Sequence, residues 1–271
     1  YDNKIIDIQE LNNIKPKNND SLYAVEQSYG KIKISGEVLN PGTYEISSNE
    51  NIHSLVKRAG GYKQNAYPFG GILLREGAKE IERKNNERLY NNFIKYIATS
   101  ISKGTGSQIG TALPTVLSEL KNTEVYGRVQ AEFDIEKLSD NPSTDIYLTD
   151  EDEIFIPKYQ PIVFVYGEVQ NPGGMRYIPD MNTKEYIRLA GGLTNYGNRD
   201  TIIVVDPSGA SKIYNNRNFE FNLNNEIDIY PGSLIYVSRD IDKVQGLEFT
   251  AASASIFSSL ALALASLNSI N

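Results

Sequence analysis

The sequence predicts an α+β protein of two tandem domains, with a helical insert in the first and an amphipathic helix at the C-terminus. Three observations carry this. The stretch 36–61 recurs without a gap at 167–192, so that Gly36 and Gly167 stand 131 positions apart, as do Gly60 and Gly191. Each copy reads locally as strand, turn, strand and helix. The last part of the chain, residues 249–270, holds no charge, Gly or Pro.

The elements follow in order. Residues 31–38 alternate Ile32, Ile34 and Val38 with polar neighbours, the period of a half-buried strand. Asn40-Pro41-Gly42 predicts a type II turn, with Pro at its first corner and Gly at a second corner of positive φ. Residues 43–46 form the return strand. Ile52, Leu55, Val56 and Ala59 then fall at the spacing of one apolar helix stripe, which Gly60-Gly61 ends in the left-handed conformation. The second copy repeats each step: a strand over 163–169, the turn Asn171-Pro172-Gly173, and a helix with Tyr186, Ile187 and Ala190 that stops at Gly191-Gly192. Asn182 with Glu185 three residues on predicts a capping box. A further strand is expected at 71–76 and at 201–206, and a turn followed by a closing strand at 145–157 and 228–237. Two hairpins embracing one helix make a β-grasp arrangement.

The copies differ in the middle. Between Gly61 and Asp145 lie 83 residues, but between Gly192 and Asp228 only 35, leaving 48 extra in the first copy. This insert, about 77–125, predicts a helix with Leu89, Phe93, Tyr96 and Ile97 on one side. A Gly/Ser/Thr loop over 102–110 and a shorter helix near 114–121 follow. Residues 20–36 read like 152–167, an acidic turn leading into a strand and the Gly-Glu-Val triplet. Residues 1–30 are therefore expected to be the tail of a preceding domain whose beginning is missing. The N-terminus shows neither a signal-peptide pattern nor an initiator Met, as expected of a mature product or an excised fragment. The boundaries are then 31–160 and 161–240 for the two domains and 241–271 for the terminal helix.

Composition narrows the chemistry. A net charge of −7 argues against nucleic acid as a partner. The absence of cysteine removes disulfides, thiolate metal sites and cysteine nucleophiles. The single histidine, His53, sits where the second copy has Lys184, and is expected on a solvated helix face. The run Asp150-Glu151-Asp152-Glu153 lacks the spacing of a calcium loop and is expected to be a solvated turn. No catalytic constellation, cofactor site or metal site is expected. The 18 tyrosines invite a sugar-stacking role. Tyr147, Tyr166, Tyr230 and Tyr236, however, hold strand positions where Tyr is common. Lys79, Arg83, Lys84 and Arg88 are interleaved with Glu80, Glu82 and Glu87, which reads as a charged helix face.

As a helix, the 22 residues 249–270 would measure about 33 Å, against a hydrocarbon layer of about 30 Å. Phe249, Ile256, Phe257, Leu260, Leu264 and Leu267 fall on one face. Ser255, Ser258, Ser259 and Ser266, with Ala251, Ala254 and Ala265, fall largely opposite; Leu262 sits on the small-residue side. Such a helix suits a ring with lipid outside and water or a neighbour inside. It equally suits docking on a domain or partner, or a free tail.

The paired Gly-Glu-Val-x-Asn-Pro-Gly…Ala-Gly-Gly motifs, the turns before each closing strand and the Ser/Ala/Leu terminal segment resemble the outer-membrane polysaccharide export proteins, the Wza- and KpsD-like exporters of bacterial capsule. The repeated motif resembles the soluble-ligand-binding β-grasp (SLBB, ubiquitin-like) signature. The helical insert and the SLBB-type tail at the start make the KpsD-like members the closer match. The resemblance implies a homo-oligomeric ring in the full-length protein, capsular polysaccharide as cargo, inner-membrane co-polymerase and export machinery as partners, and a pore through the outer membrane above periplasmic domains. It further implies lipid contact for Phe249, Ile256, Phe257, Leu260, Leu264 and Leu267, and a pore or neighbour for Ser255, Ser258, Ser259 and Ser266. The family's N-terminal export domain is not found in this sequence. Two other readings are a periplasmic glycan- or ligand-binding module without a pore, and an architectural adaptor between the two membranes.

Overall fold

A computed structural model describes residues 15, 29–102, 124–214 and 227–239. Its first sheet begins with the hairpin β1 (Gly30–Gly36) and β2 (Gly42–Ile46), followed by helix α1 (Ile52–Arg58) and β3 (Ile72–Leu74). Helix α2 (Glu76–Ser102) leaves directly from the end of β3, and the chain returns as β4 (Arg128–Val129), α3 (Ile135–Asp140) and β5 (Glu153–Ile156). The strands lie in the order β2-β1-β5-β3-β4, with β1 and β5 parallel and the other pairs antiparallel. Alternation along β1 and β5 sends Ile32, Ile34, Ile154 and Ile156 to the face that α1 covers with Ile52, Leu55, Val56 and Ala59. Phe133 and Leu138 complete that core.

The second sheet repeats the plan without the excursion. It contains β6 (Ile162–Gly167), β7 (Gly173–Arg176), α4 (Thr183–Leu189), β8 (Gly197–Val205), β9 (Ser211–Tyr214) and β10 (Leu234–Arg239). The order is β7-β6-β10-β8-β9, with β6 and β10 parallel. Val163, Val165, Ile235 and Val237 meet Tyr186, Ile187 and Ala190 of α4. The capping box forms in both directions: Asn182 accepts from the Glu185 N–H at 3.1 Å, and Glu185 accepts from the Asn182 N–H at 2.9 Å. In α1, Ser54 takes the place of the glutamate, closing the same box with Asn51. The expected mixture of helix and strand holds, as two mixed sheets and a few helices.

Several sequence readings fall outside the described residues: the tail before residue 29, the loop over 102–110, the short helix near 114–121 and the segment 249–270. The side chains of Leu89, Phe93, Tyr96 and Ile97 lie outside them too.

One reading needs correction. Gly42 does not take the positive φ of a type II corner; it already pairs with Ile34 as the first residue of β2. Its counterpart Gly173, at φ 154°, opens β7 opposite Val165 in the same way. In the first half of the motif the left-handed glycines are instead Gly36 and Gly167, with φ of 86° and 88°.

Candidate functional site

Most of the repeated signature is a structural joint. At Gly36 a Cβ would stand 2.1 Å from the Ile156 carbonyl oxygen, and at Gly167 one would stand 2.0 Å from that of Val237. Each of these carbonyls accepts the next N–H of the signature, from Glu37 at 2.8 Å and from Glu168 at 2.9 Å. The parallel strand pair thus closes on a residue that can carry no side chain.

The Asn-Pro-Gly and Ala-Gly-Gly halves of the signature are stitched together by their backbones. Asn40 N–H donates to Ala59 C=O and Leu39 N–H to Gly61 C=O, at 2.9 and 3.0 Å. Asn171 to Ala190 and Gln170 to Gly192 repeat the pair at 2.8 and 3.0 Å. The helix end needs left-handed residues, and Gly60, Gly61, Gly191 and Gly192 have φ between 83° and 88°. The amides of Asn40 and Asn171 lie over Gly60 and Gly191, where a Cβ would come within 2.8 and 2.6 Å of them. Pro41 and Pro172 stand exposed at the tips of these turns.

The acidic turn is also largely structural, which corrects its reading as a solvated run. Asp152 is fully buried and forms a forked ion pair with Arg75, at 2.9 and 2.7 Å. It also accepts from the Thr149 N–H at 2.9 Å. Its hydrogen bond and charge raise the pKa of the Arg75 guanidinium, against a smaller opposing effect of burial. In the second copy Ser233 does the same local work, accepting from the Tyr230 N–H at 3.0 Å. Asp145 accepts from the first N–H groups of α1, at Ile52 and His53, and Asp150 accepts from Lys31 N–H at 2.7 Å. Glu151 and Glu153 remain exposed.

The other candidates separate cleanly. His53 is half-buried on α1. Arg83 pairs with Glu80 and Glu87, Lys84 with Glu80 and Lys79 with Glu76, so the basic residues of α2 are largely neutralised along their own helix. Tyr147 is exposed, whereas Tyr166 and Tyr236 pack on the second sheet. Among the described residues no group of His, Cys, Asp or Glu is placed to hold a metal ion, and no helix is long and apolar enough to cross a membrane. The membrane-facing residues from Phe249 to Leu267, and the serines from Ser255 to Ser266, lie outside the described residues.

What the sequence did not single out is the contact between the two domains. Phe69 of the first domain packs on Tyr230 of the second with ring centroids 4.9 Å apart, and Phe69 is itself flanked within the first domain by Tyr67, which meets Tyr159 edge-on at 5.5 Å. Arg128 of the first domain also donates across the boundary, to the Pro207 C=O at 2.6 Å. No periodicity marks these residues, because each lies in a loop or at a sheet edge.

The SLBB domain family model matches residues 31–78 and 162–214, which cover the hairpin, the stitched turn and the helix of each copy. The chain carries SLBB domains. Two proteins from Escherichia coli, each named polysialic acid transport protein KpsD, are 35% identical over 74 residues and 36% identical over 73. Each match takes in 27% of this chain but only 13% of the relative. Together with the paired SLBB signatures, this similarity shows a resemblance to the Wza- and KpsD-like polysaccharide export proteins.

Proposed function

We propose that this chain is the membrane-proximal part of an oligomeric outer-membrane translocon that conducts capsular polysaccharide from the periplasm to the cell surface. The observation that carries the reading is the pair of SLBB domains in a chain similar to transport proteins named for polysialic acid. The shared strand order, with one helix across each sheet, supports a β-grasp fold for both domains. Their signature residues are consumed by backbone joints, which suits a structural part of a conduit better than an enzyme. On this reading the domains stand in the periplasm, the partners are further copies of the chain, inner-membrane co-polymerase and export machinery, and the cargo is the glycan. Residues 249–270 supply one stave of the pore.

The stave has a two-sided test. A charge at the middle of a membrane costs roughly 2.5–3.5 kcal/mol per helix, and a ring multiplies this by its copy number. Leu260→Arg places the charge in lipid and should abolish surface polysaccharide and membrane association of the full-length protein. Ser259→Asp faces water or a neighbour and should retain export while changing conductance in bilayers. Equal tolerance of both substitutions would show that the segment is a tail and remove the pore reading.

A further inference from the structure

The contact between the two SLBB domains is asymmetric in a way that the duplicated signature does not explain. Arg128 stands on β4 at the return of the helical insert, on the edge of the first sheet, and reaches the turn that joins β8 to β9 in the second. That turn is closed by its own bonds, Gly209 N–H to Asp206 C=O and Asp206 N–H to Ala210 C=O, both 2.9 Å. The Asp206 carboxylate is engaged within the turn by Ser208 and the Ala210 N–H. It stands outside ion-pair range of Arg128, and no other carboxylate among the described residues pairs with this guanidinium. The guanidinium lies flat against Gly209, where an added Cβ would come within 2.7 Å of its central carbon. Its Nε is buried without a hydrogen-bond partner, and burial lowers its pKa to about 10, with Asp206 opposing weakly.

An arginine in this position is expensive to desolvate, and the chain would release it to water if the domains were free to part. Two further features hold the joint. The Phe69–Tyr230 ring pair makes a second contact between the domains. Within the first domain, the residue before Arg128 is locked onto the root of α2. Gly127 has φ 69°, and a Cβ there would lie 2.4 Å from both the Arg75 oxygen and the Lys79 nitrogen. Its N–H donates to Glu82 of α2 at 2.9 Å, and its C=O accepts from Arg75 N–H at 3.0 Å. The second copy lacks the 48-residue insert, and among its described residues there is no counterpart to this arrangement.

We propose that the insert and the second domain form a fixed joint, in which the root of α2 sets Gly127, and Arg128, as a positioning residue, sets the angle between the two SLBB domains. The role of the insert is then to orient one SLBB domain on the next. This inference concerns the joint alone and does not depend on what the assembly transports.

The chain has no cysteine, so a pair of spin labels can be placed without background. Ser139→Cys on α3 and Arg188→Cys on α4 are exposed helical sites, one in each domain. Pulsed dipolar measurements on the full chain should give one narrow distance distribution. Arg128→Met should abolish that single narrow peak. Glu82→Ala touches nothing in the second domain and should broaden the distribution as well, a result that a merely local contact would not produce. Phe69→Ala, which breaks the ring pair with Tyr230, makes the same test should Arg128→Met fail to fold. A broad distribution in the parent, or an unchanged narrow one in Arg128→Met or Phe69→Ala, overturns the joint. A narrow distribution in Glu82→Ala removes the insert from it.

Discussion

Replacing Gly36 by alanine tests the account of the signature most directly. The added Cβ would sit 2.1 Å from the Ile156 carbonyl oxygen, a main-chain atom that cannot swing aside. Holding an L-residue at φ 86° costs about 1–2 kcal/mol. Parting β1 from β5 to relieve the contact also loosens the 2.8 Å bond from Glu37 N–H to Ile156 C=O, worth about 0.5–1.5 kcal/mol. The sum is about 1.5–3.5 kcal/mol, a fall in Tm of roughly 5–15 °C. Gly61→Ala supplies the control: φ is 88°, but nothing lies within 4 Å of the new Cβ, so only the backbone cost of about 1–2 kcal/mol applies. Urea unfolding followed by circular dichroism separates the two. If Gly36→Ala proves no worse than Gly61→Ala, the close approach of the parallel strand is not what demands glycine, and the reasoning fails at Gly167 too.

Arg75→Ala leaves the Asp152 carboxylate fully buried without its cation and should cost about 3–5 kcal/mol in the same unfolding experiment; a loss below 1 kcal/mol would return the turn to a solvated run. Burial, helped by the nearby Asp134 and Glu132 carboxylates, holds the Tyr62 phenol well above its usual value of 10.0, and burial followed by neighbouring Tyr159, Tyr177, Asp206 and Tyr230 does the same for Tyr67. Because these folded values exceed the unfolded ones, the stability they contribute is complete below pH about 10 and is lost as pH rises through the folded values. An ultraviolet titration should therefore show tyrosines that ionise only as the protein unfolds, and a titration curve that Tyr62→Phe with Tyr67→Phe leaves unaltered would contradict this.

The stitched parts of the fold were readable because local rules and tertiary demands agree there. Ile32 and Ile34 alternate with lysines as a half-buried strand must, and Asn182 with Glu185 caps a helix wherever such a helix stands. The Asn-Pro-Gly turn misled because its composition matches a type II turn, while the parallel strand behind it moves the left-handed requirement back to Gly36. Asp152 misled for a related reason. Four acids in a row look solvated, and only the arrival of Arg75 from 77 positions away on the sheet reveals that one of them is buried. Arg128 left no signal, since one arginine in a two-residue strand has no period and its partner is a backbone carbonyl.

The two sheets share their order and their helix-covered cores, so their difference lies on the opposite face. In the first sheet one rung across that face runs Lys33, Glu153, Leu74 and Arg128, with Lys33 and Glu153 bridged at 3.6 Å, and the next runs Ser35, Phe155 and Ile72. The same rung in the second runs Phe164, Leu234, Val205 and Ser211, and the next brings Tyr166, Tyr236, Ile203 and Ile213 into line. A face that carries an ion pair can leave that part in water, whereas a sheet apolar on both faces must be covered on both. Ile203, Val205 and Leu234 are indeed at most 1% exposed. The glycines and backbone stitches of the signature crowd mostly main-chain atoms of the hairpin, the closing strand and the helix end, which leaves the outer-face side chains free to differ. Tandem copies can therefore keep the signature at each of its positions and still present a face with an ion pair from one domain and a largely apolar pair of rungs from the other, and distinct tasks for the two SLBB domains would arise on those faces.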